Sequence, residues 1–243
     1  MARFRLLCAG VLWAAGAGPC AALLPAGLTA AEYLRVAGYD VHIYDRHDRA
    51  GGLLTYGSPG FKLEKHVIMR RVERLKDGGI IFHENFEVGK DATLGDLQDR
   101  HDALLVATGV YQARDIKMPG VGAPGVEEAL DFLIASNRKS FGDDVPDFDN
   151  GRYNAKGKNV VVIGGGDTAM DCVRTSVRQG ARSVKCLYRR DRANMPGSPN
   201  EVRNAEEEGV EFVWLSAPKA VEGTSHATAV KAHKMRLGAP DAS

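Results

Sequence analysis

The sequence of 243 residues is poor in cysteine, in net charge and in long apolar runs. It has four widely spaced cysteines and no C-x-x-C pair, so zinc, iron–sulfur and redox-disulfide sites lack support. A formal net charge of +1 gives no electrostatic reason to expect nucleic acid or an anionic membrane as a partner. No segment is long and apolar enough to predict a membrane span. The composition is that of a globular protein with one large or two small domains.

The most informative stretch is residues 160–169, where an apolar, β-branched run precedes a glycine turn and then helical spacing. The run predicts a parallel strand that is buried on both faces, and Gly180 is placed to end the following helix. Gly164, Gly166 and Ala169 give the pattern G-x-G-x-x-A, whose glycines allow a tight turn and the close approach of a pyrophosphate. The stretch therefore predicts a dinucleotide-binding unit.

The next predicted strand, residues 183–188, ends at Arg189 and Arg190. About 20 residues beyond the glycine turn, an NAD site would carry an acidic residue for the ribose 2′-hydroxyl. Guanidinium groups at this place suit a phosphate, because they provide fixed charge and a fork of donors. We therefore predict an NADP site with both arginines on the 2′-phosphate. The alternative is an empty glycine turn beside a solvated arginine pair.

The amino-terminal part predicts a second dinucleotide unit whose glycine loop can be placed in two registers. Residues 16–21 fit G-x-G-x-x-A after a short strand at residues 11–13, whereas Gly27 would end such a loop in the other register. Asp45, at the end of the next strand, lies 18 residues beyond Gly27, close to the expected spacing of about 20, and this favours the second register. Leu24 would then crowd the pyrophosphate, so either the loop is broken or the helix carries an insertion.

Residues 1–24 form an atypical start. Arg3 and Arg5 precede an apolar stretch and then small residues, as in a secretory signal. A nucleotide-cofactor enzyme is expected in the cytoplasm, so we favour a damaged or misassigned start of the coding sequence.

The remaining pattern predicts alternating helices and strands. Helices are expected at residues 28–37, 65–76, 94–99 and 127–136, and a further one, running to residue 208, opens with a capping box at residues 198–201. Short strands are expected at residues 40–44, 80–82, 86–88, 103–109 and 210–215. Residues 139–158 are expected to form a polar loop, and the pattern is weak from Gly223 onward. The histidines are scattered, and surface or packing roles are expected for them.

Several further segments occur together in one family. They are residues 51–57, 61–64, 106–109, 164–172 and 188–198. Together they resemble the small (beta) subunit of NADPH-dependent glutamate synthase, over about residues 25–240. The resemblance implies two Rossmann-like domains, one for FAD and one for NADPH. It also implies electron transfer through iron–sulfur clusters to a large subunit that makes L-glutamate from glutamine and 2-oxoglutarate.

The resemblance also implies which residues hold the cofactors. Those expected at FAD are Gly27, Asp45, Gly52, Leu53, Val88, Thr108 and Gly109. Those expected at NADPH are Gly165, Gly166, Asp167, Thr168, Arg189 and Arg190. Hydride passes from nicotinamide to flavin, so no catalytic acid, base or nucleophile is expected, and no metal ligand.

The expected fold class is α/β, with two Rossmann-like dinucleotide-binding domains built on parallel sheets. The FAD-binding domain is placed at residues 25–117 and is expected to be incomplete, because the carboxy-terminal segment that completes it in the family is missing. The NADPH-binding domain, at residues 118–243, is expected to be nearly complete. The family's cysteine-rich domain is also absent from this sequence. Two alternatives stay open: a related oxidoreductase with another electron acceptor, and a truncated NADP-binding module without flavin.

Overall fold

The computed structural model of the chain describes residues 5–9, 25–109, 111 and 116–238. The chain divides into two compact units, residues 1–112 and residues 113–243. This division lies five residues from the predicted boundary between residues 117 and 118. Each unit is an α/β arrangement of its own.

The first unit contains a four-stranded parallel sheet with the strand order β3-β2-β1-β4. Its strands are β1 (Arg5–Ala9), β2 (Asp40–Tyr44), β3 (Ile81–His83) and β4 (Ala103–Val106). Its helices are α1 (Pro25–Val36), α2 (Leu53–Tyr56), α3 (Lys65–Asp77) and α4 (Leu94–Arg100). Parallel strands joined by helices are the arrangement that the sequence predicts for a dinucleotide unit.

Strand β1 comes from the atypical amino-terminal segment. Arg5–Ala9 lies inside the sheet, where Leu7 is in register with His42 of β2 on one side and with Leu104 of β4 on the other. The strand predicted at residues 11–13 and the loop predicted at residues 16–21 lie outside the described residues. The interpretation of residues 1–24 as signal-like or misassigned stays a prediction, but five of these residues complete the parallel sheet.

The core of the first unit forms where α1 and α3 cover the sheet. Buried Leu28 and Ala31 of α1 pack with Val41 and Ile43 of β2, and Leu75 of α3 joins the same cluster. A second cluster contains Tyr44, Val88, Ala92 and Leu97. The strand predicted at residues 86–88 is wrong, since only an isolated bridge between Val88 and Ala92 forms there.

The second unit contains a three-stranded parallel sheet, with the order β5-β6-β7, and a separate antiparallel hairpin. The parallel strands are β5 (Asn159–Ile163), β6 (Ser183–Leu187) and β7 (Glu211–Val213), and the hairpin pairs β8 (Ser216–Glu222) with β9 (Ala229–Lys234). The helices are α5 (Ala129–Ser140), α6 (Pro146–Asp149), α7 (Asp167–Arg178) and α8 (Pro199–Glu207).

Four helices end in the same way before they lead into a parallel strand. A glycine with φ between 85° and 92° follows the C-cap residue of each helix. The next amide bonds back to the third-last helical carbonyl, as in Ala181 to Ser176 at the end of α7. This is the Schellman motif, in which glycine adopts the left-handed conformation without a steric penalty. The predicted end of α7 at Gly180 is confirmed; the other three glycines are Gly38, Gly79 and Gly209.

The structure corrects three expectations in the second unit. Strand β5 lies at the edge of the three-stranded sheet, and it is not buried on both faces, because Val161 is 42% exposed. The polar segment at residues 139–158 contains the end of α5 and the short α6. The weakly patterned tail contains β9, which is almost wholly exposed and therefore lacks the apolar alternation that predicts a strand.

The capping box predicted at the start of α8 is also wrong. Ser198 is the N-cap residue and Pro199 the first helical residue, as expected, but the Ser198 side chain makes no capping hydrogen bond. Glu201 would have to reach back toward Ser198 in a capping box. It is instead paired with the buried Arg174 of α7, at 2.7 Å from Nη1.

Candidate dinucleotide sites

The glycine turn of the second unit joins the end of β5 to the start of α7. Gly164 has φ 152°, a conformation that residues with a side chain rarely adopt, and its N–H donates to the carbonyl of Leu187. The Cβ of Ala169 lies 3.4 Å from the position that a Cβ on Gly164 would take. The small third residue of the motif therefore permits the close packing of helix on strand that the spacing predicts.

The turn presents a row of unpaired backbone donors. Within the described part of the chain, no acceptor is hydrogen-bonded to the N–H groups of residues 165–168. A Cβ built on Gly166 would meet no atom within 4 Å, so the space in front of the turn is open. Unpaired N–H groups and the positive end of the helix dipole both favour an anion at this place. The geometry fits a pyrophosphate.

The ring of Tyr188 covers the other side of the turn. A Cβ on Gly165 would lie 2.3 Å from Tyr188 Cε2, so only glycine fits beneath the ring. Tyr188 is buried, its hydroxyl donates to the carbonyl of Asn194 at 2.9 Å, and its edge faces Trp214. The sequence places Tyr188 directly before the arginine pair, but spacing alone gave no sign of this contact.

Residues 191–198, which we call the strap, cross the glycine turn. The N–H of Gly197 donates to the carbonyl of Gly165 at 2.8 Å, and the N–H of Ser198 donates to Asp167 Oδ1 at 2.9 Å. Within the strap, Asp191 Oδ1 accepts hydrogen bonds from the backbone and side-chain nitrogens of Asn194. The side chain of Asp167 is therefore engaged by the protein, and Thr168 beside it is exposed.

Arg189 and Arg190 follow the carboxyl end of β6, and both side chains are exposed. Neither guanidinium has an ion-pair or hydrogen-bond partner among the residues that the structure describes. The backbone of Arg190 is fixed, because its carbonyl accepts a hydrogen bond from Leu215 at 3.0 Å. Two unpaired cations on a fixed backbone suit a phosphate group.

Helix α7 is enclosed on several sides, which fixes the turn that precedes it. Met170 and Val173 pack in the core of the parallel sheet, and Cys172 Sγ lies 3.7 Å from the carbonyl of Ala129 in α5. Cys186 of β6 donates from Sγ to the carbonyl of Gly164 at 3.3 Å. Burial raises the pKa of the Cys186 thiol to about 12, so it remains a protonated donor, and burial also raises the pKa of Cys172. Both cysteines have packing roles.

The strand end that carries Asp45 is more enclosed than the sequence predicts. The Asp45 side chain is 0% exposed, and its Oδ1 accepts hydrogen bonds from the backbone N–H of His47, at 3.0 Å, and lies 3.0 Å from His47 Nδ1. The position after β2 is the one expected for a ribose-binding acid. A contact between this carboxylate and a ribose would require the groups that bury it to move.

The Gly51-Gly52 turn leads into α2 with two positive φ angles, 116° and 52°. A Cβ on Gly51 would lie 2.3 Å from Thr55 Oγ1, which donates to the carbonyl of Ala50. The N–H groups of Gly52 and Leu53 have no acceptor within the described residues. These two donors are available to a ligand, as the resemblance implies.

The other expected FAD residues are placed by the first unit as follows. Val88 is buried in the cluster with Tyr44, so only its backbone could face a ligand. Thr108 is buried after β4, where its hydroxyl donates to the carbonyl of Gly109, and Gly109 has φ 70°. Gly27 is buried within α1.

Three histidines expected to be scattered come together on the first unit. His42 Nδ1 lies 2.9 Å from His83 Nε2, and His101 Nε2 lies 3.0 Å from the hydroxyl of Tyr44. Burial, with a smaller contribution from His42, lowers the pKa of His83. Among the described residues, no group of three or more His, Cys, Asp or Glu side chains is arranged to hold a metal ion.

A family model described as "Pyridine nucleotide-disulphide oxidoreductase" matches residues 8–239. The chain belongs to this family. Its α/β fold with parallel sheets is the one expected from the sequence, and the predicted fold class is confirmed.

The relatives confirm the expected resemblance. The glutamate synthase [NADPH] small chain of Azospirillum brasilense is 63% identical over 218 residues, which are 90% of this chain and 45% of that protein. A putative oxidoreductase of Escherichia coli strain K12, AegA, is 48% identical over 221 residues, again 90% of this chain but 33% of that protein. The chain thus spans less than half the length of these relatives.

The fold is also similar to that of solved structures. Mycobacterium tuberculosis FprA in complex with NADPH superposes with a TM-score of 0.74 and 17% identity, covering 94% of this chain and 63% of that one. At this identity the likeness concerns the fold. None of the helices that the structure describes has the length and apolar character needed to cross a membrane.

Proposed function

We propose that this chain is the cofactor-binding part of an FAD-dependent oxidoreductase that takes a hydride from NADPH, of the glutamate synthase small-chain type. The proposal rests on two features that occur together in the second unit. Among the described residues, four backbone amides at the glycine turn have no acceptor, and two guanidinium groups at the end of the next strand have no partner. Relatives named as the NADPH-dependent small chain support the choice of NADPH.

Both phosphate-bearing parts of NADPH, the central pyrophosphate and the 2′-phosphate of the adenosine half, have donors of matching chemistry in the second unit. The amides of Gly165, Gly166 and Thr168 bind the pyrophosphate at the start of α7. Arg189 and Arg190 bind the 2′-phosphate, which distinguishes NADPH from NADH. The chain itself supplies binding and orientation here, with no proton donor or acceptor assigned.

The first unit is proposed to bind FAD through the donors of Gly52 and Leu53 and the segment around Thr108 and Gly109. FAD, when bound, supplies the redox chemistry, since it accepts a hydride and passes electrons on. Asp45 is included on one condition: its carboxylate is fully buried and must become accessible before it can contact a ribose.

The proposed electron acceptor is a large glutamate synthase subunit, which makes L-glutamate from glutamine and 2-oxoglutarate, and the proposed location is the cytoplasm. Iron–sulfur clusters would lie outside this chain. The similarity to the putative oxidoreductase AegA supports a second candidate function, an NADPH–flavin oxidoreductase with a different electron acceptor.

The visible absorption spectrum of the purified chain, followed by NADPH oxidation with an artificial dye acceptor, tests the proposal. Bound flavin and dye reduction that prefers NADPH over NADH are the expected results. If the purified chain is colourless and still binds NADPH, its function is that of a non-catalytic NADP-binding fragment. A chain that binds the two nucleotides equally would refute the arginine assignment.

A further inference from the structure

Asp167 is an exposed residue at the point where NADPH is proposed to bind, and one oxygen of its carboxylate is hydrogen-bonded to the protein. It is the first residue of α7, and its Oδ1 accepts the backbone N–H of Ser198 at 2.9 Å. Ser198 ends the strap and is the N-cap residue of α8. A single hydrogen bond therefore links the first residue of α7 to the N-cap residue of α8.

Two further contacts hold the strap over the glycine turn. The N–H of Gly197 donates to the carbonyl of Gly165, and a Cβ on Gly197 would come within 3.0 Å of that same oxygen. Farther along the strap, the hydroxyl of Tyr188 donates to the carbonyl of Asn194. The strap is thus held at three places, by Gly165 of the turn, by Asp167 of α7 and by Tyr188 after β6, and Asp167 provides the only one of these contacts that comes from a charged group.

We propose that Asp167 is a positioning residue that holds the strap against the glycine turn and makes no contact with the cofactor. The inference rests on the NADPH site proposed above and changes the role of one residue expected to bind there. In this arrangement the amides of Gly165 and Gly166 keep a fixed direction because the strap fixes the turn.

Electrostatics alone predicts the opposite effect of removing this side chain. A carboxylate at the start of a helix competes with a pyrophosphate for the same positive end, and the two negative charges repel each other. Neutral replacements of Asp167 would then all tighten NADPH binding. The positioning role predicts that the result depends on whether an acceptor for Ser198 remains.

Two pairs of variants of the full chain separate these accounts. Asp167→Ala removes the acceptor and the charge, whereas Asp167→Asn removes the charge and keeps an acceptor oxygen. Ser198→Pro removes the donor and keeps the charge of Asp167, although its ring carbon takes the place of the hydrogen and displaces the carboxylate; the φ of −53° at Ser198 is compatible with proline. Ser198→Ala keeps the donor and loses a hydroxyl that makes no capping bond.

The measurements are NADPH affinity, from nicotinamide fluorescence, and hydrogen exchange of the backbone amide at residue 198. Asp167→Ala and Ser198→Pro should each weaken NADPH binding about five-fold, the effect of one exposed hydrogen bond. The amide of residue 198 should also exchange faster in Asp167→Ala. Asp167→Asn and Ser198→Ala should retain the affinity of the unaltered chain, and both should retain amide protection.

Four results would overturn the inference. Equal or tighter binding by both Asp167 variants would mean that charge decides. Weaker binding by both, with protection of the Ser198 amide unchanged, would mean that Asp167 contacts the cofactor. If the unaltered chain bound no NADPH, the proposed function and this inference would fail together. If it bound NADPH and Asn did not rescue, only the inference would fail.

Discussion

The ring of Tyr188 fills the space that a side chain on Gly165 would need, with 2.3 Å between the Cβ position and Tyr188 Cε2. The next residue, Gly166, has open space at its Cβ position. Neighbouring glycines in one turn therefore have different physical reasons to be glycine, the first for packing within the protein and the second for access of a ligand.

Gly165→Ala should destabilise the second unit, by about 1–3 kcal/mol, because the methyl group forces the buried ring out of its position. Gly166→Ala should leave stability nearly unchanged and weaken NADPH binding, since its methyl points into the open space before the amides. Urea unfolding, followed by tryptophan fluorescence, and NADPH titration check the two variants. Equal stability losses in the two variants would contradict this explanation.

A double variant tests whether the clash is with Tyr188 itself. Replacing Tyr188 with Ala in the Gly165→Ala background should cost less stability than the sum of the two single changes, because the ring is no longer present to be displaced. Strict additivity would locate the cost of the methyl group elsewhere.

Helices and strands could be predicted from the sequence where they depend on patterns within a short stretch of residues. The strand at Asp40–Tyr44, helix α7 with its end at Gly180, and helix α3 follow from apolar spacing and glycine placement. The hairpin β8–β9 could not be found this way, because β9 is exposed along its length and leaves no alternating apolar pattern. Strand β1 was hidden because its residues also fit the pattern of a signal segment.

The candidate site was predictable in its backbone and less so in its side chains. The glycine spacing indicated where the unpaired amides lie, and the position after β6 indicated the arginine pair. The partner of Asp167 could not be inferred, since the bond to Ser198 joins residues 31 apart in sequence. The burial of Asp45 and its contact with His47 likewise depend on a fold that spacing does not reveal.

The arginine pair gives a prediction about cofactor preference. Replacing Arg189 and Arg190 with Ala should weaken NADPH binding at least ten-fold, because charge-assisted hydrogen bonds to a phosphate contribute about 1.5–3 kcal/mol each. NADH binding should not change, since NADH lacks the 2′-phosphate. The two dissociation constants, measured side by side, give the preference directly.

Arg182 provides a matched control for the arginine pair. It is exposed like Arg189 but precedes β6, at the opposite end of the strand, roughly 20 Å away at the usual rise per residue. Arg182→Ala removes the same charge and should leave NADPH affinity unchanged. If this variant lost as much affinity as Arg189→Ala, general electrostatic attraction would explain the preference.

The buried Arg174 predicts a stability loss that differs between two replacements. Its guanidinium donates to Glu201 and to Glu208 at 2.7 Å each, and its side chain is 9% exposed. Arg174→Ala should lower the free energy of unfolding by about 3 kcal/mol, because two carboxylates each lose one hydrogen-bonded cation, although Glu208 keeps its contact with Arg178. Arg174→Met keeps the packing of the aliphatic part of the side chain and should therefore lower the free energy of unfolding by less. Urea unfolding curves of the two variants measure the difference.

Glu208 adds a pH dependence to this cluster. Burial alone would raise its pKa, but hydrogen bonds from Arg174 and Arg178 outweigh burial and lower it. A carboxylate with a lowered pKa stabilises the folded state above its ordinary pKa of 4.5, and this stabilisation is lost as the pH falls through the folded value. Glu208→Gln should therefore flatten the acid limb of the stability profile, whereas Glu207→Gln, on the exposed neighbour, should not.

The contact between His42 and His83 predicts a second pH dependence, in the first unit and at higher pH. The two ring nitrogens lie 2.9 Å apart, so one must donate and the other accept, and a proton on both would remove the acceptor. Burial and His42 lower the pKa of His83 from its ordinary 6.5, although Asp40 lies 3.9 Å from the far nitrogen of His42. The contribution of His83 to the stability of the folded state is therefore fully present above pH 6.5. It decreases as the pH drops below this value, because the unfolded chain binds the proton more readily.

Thermal unfolding between pH 7 and pH 5 checks this dependence, each midpoint being compared among three chains. His83→Gln keeps a polar group near the position of Nε2 and removes the titration, so its midpoint should fall less than that of the unaltered chain. The control is His66→Gln, because the His66 side chain is 67% exposed. This variant should show the same decrease in midpoint as the unaltered chain. If the unfolding midpoint decreased equally in the His83 variant and in the unaltered chain, this histidine pair would not be the cause of the acid sensitivity of the first unit.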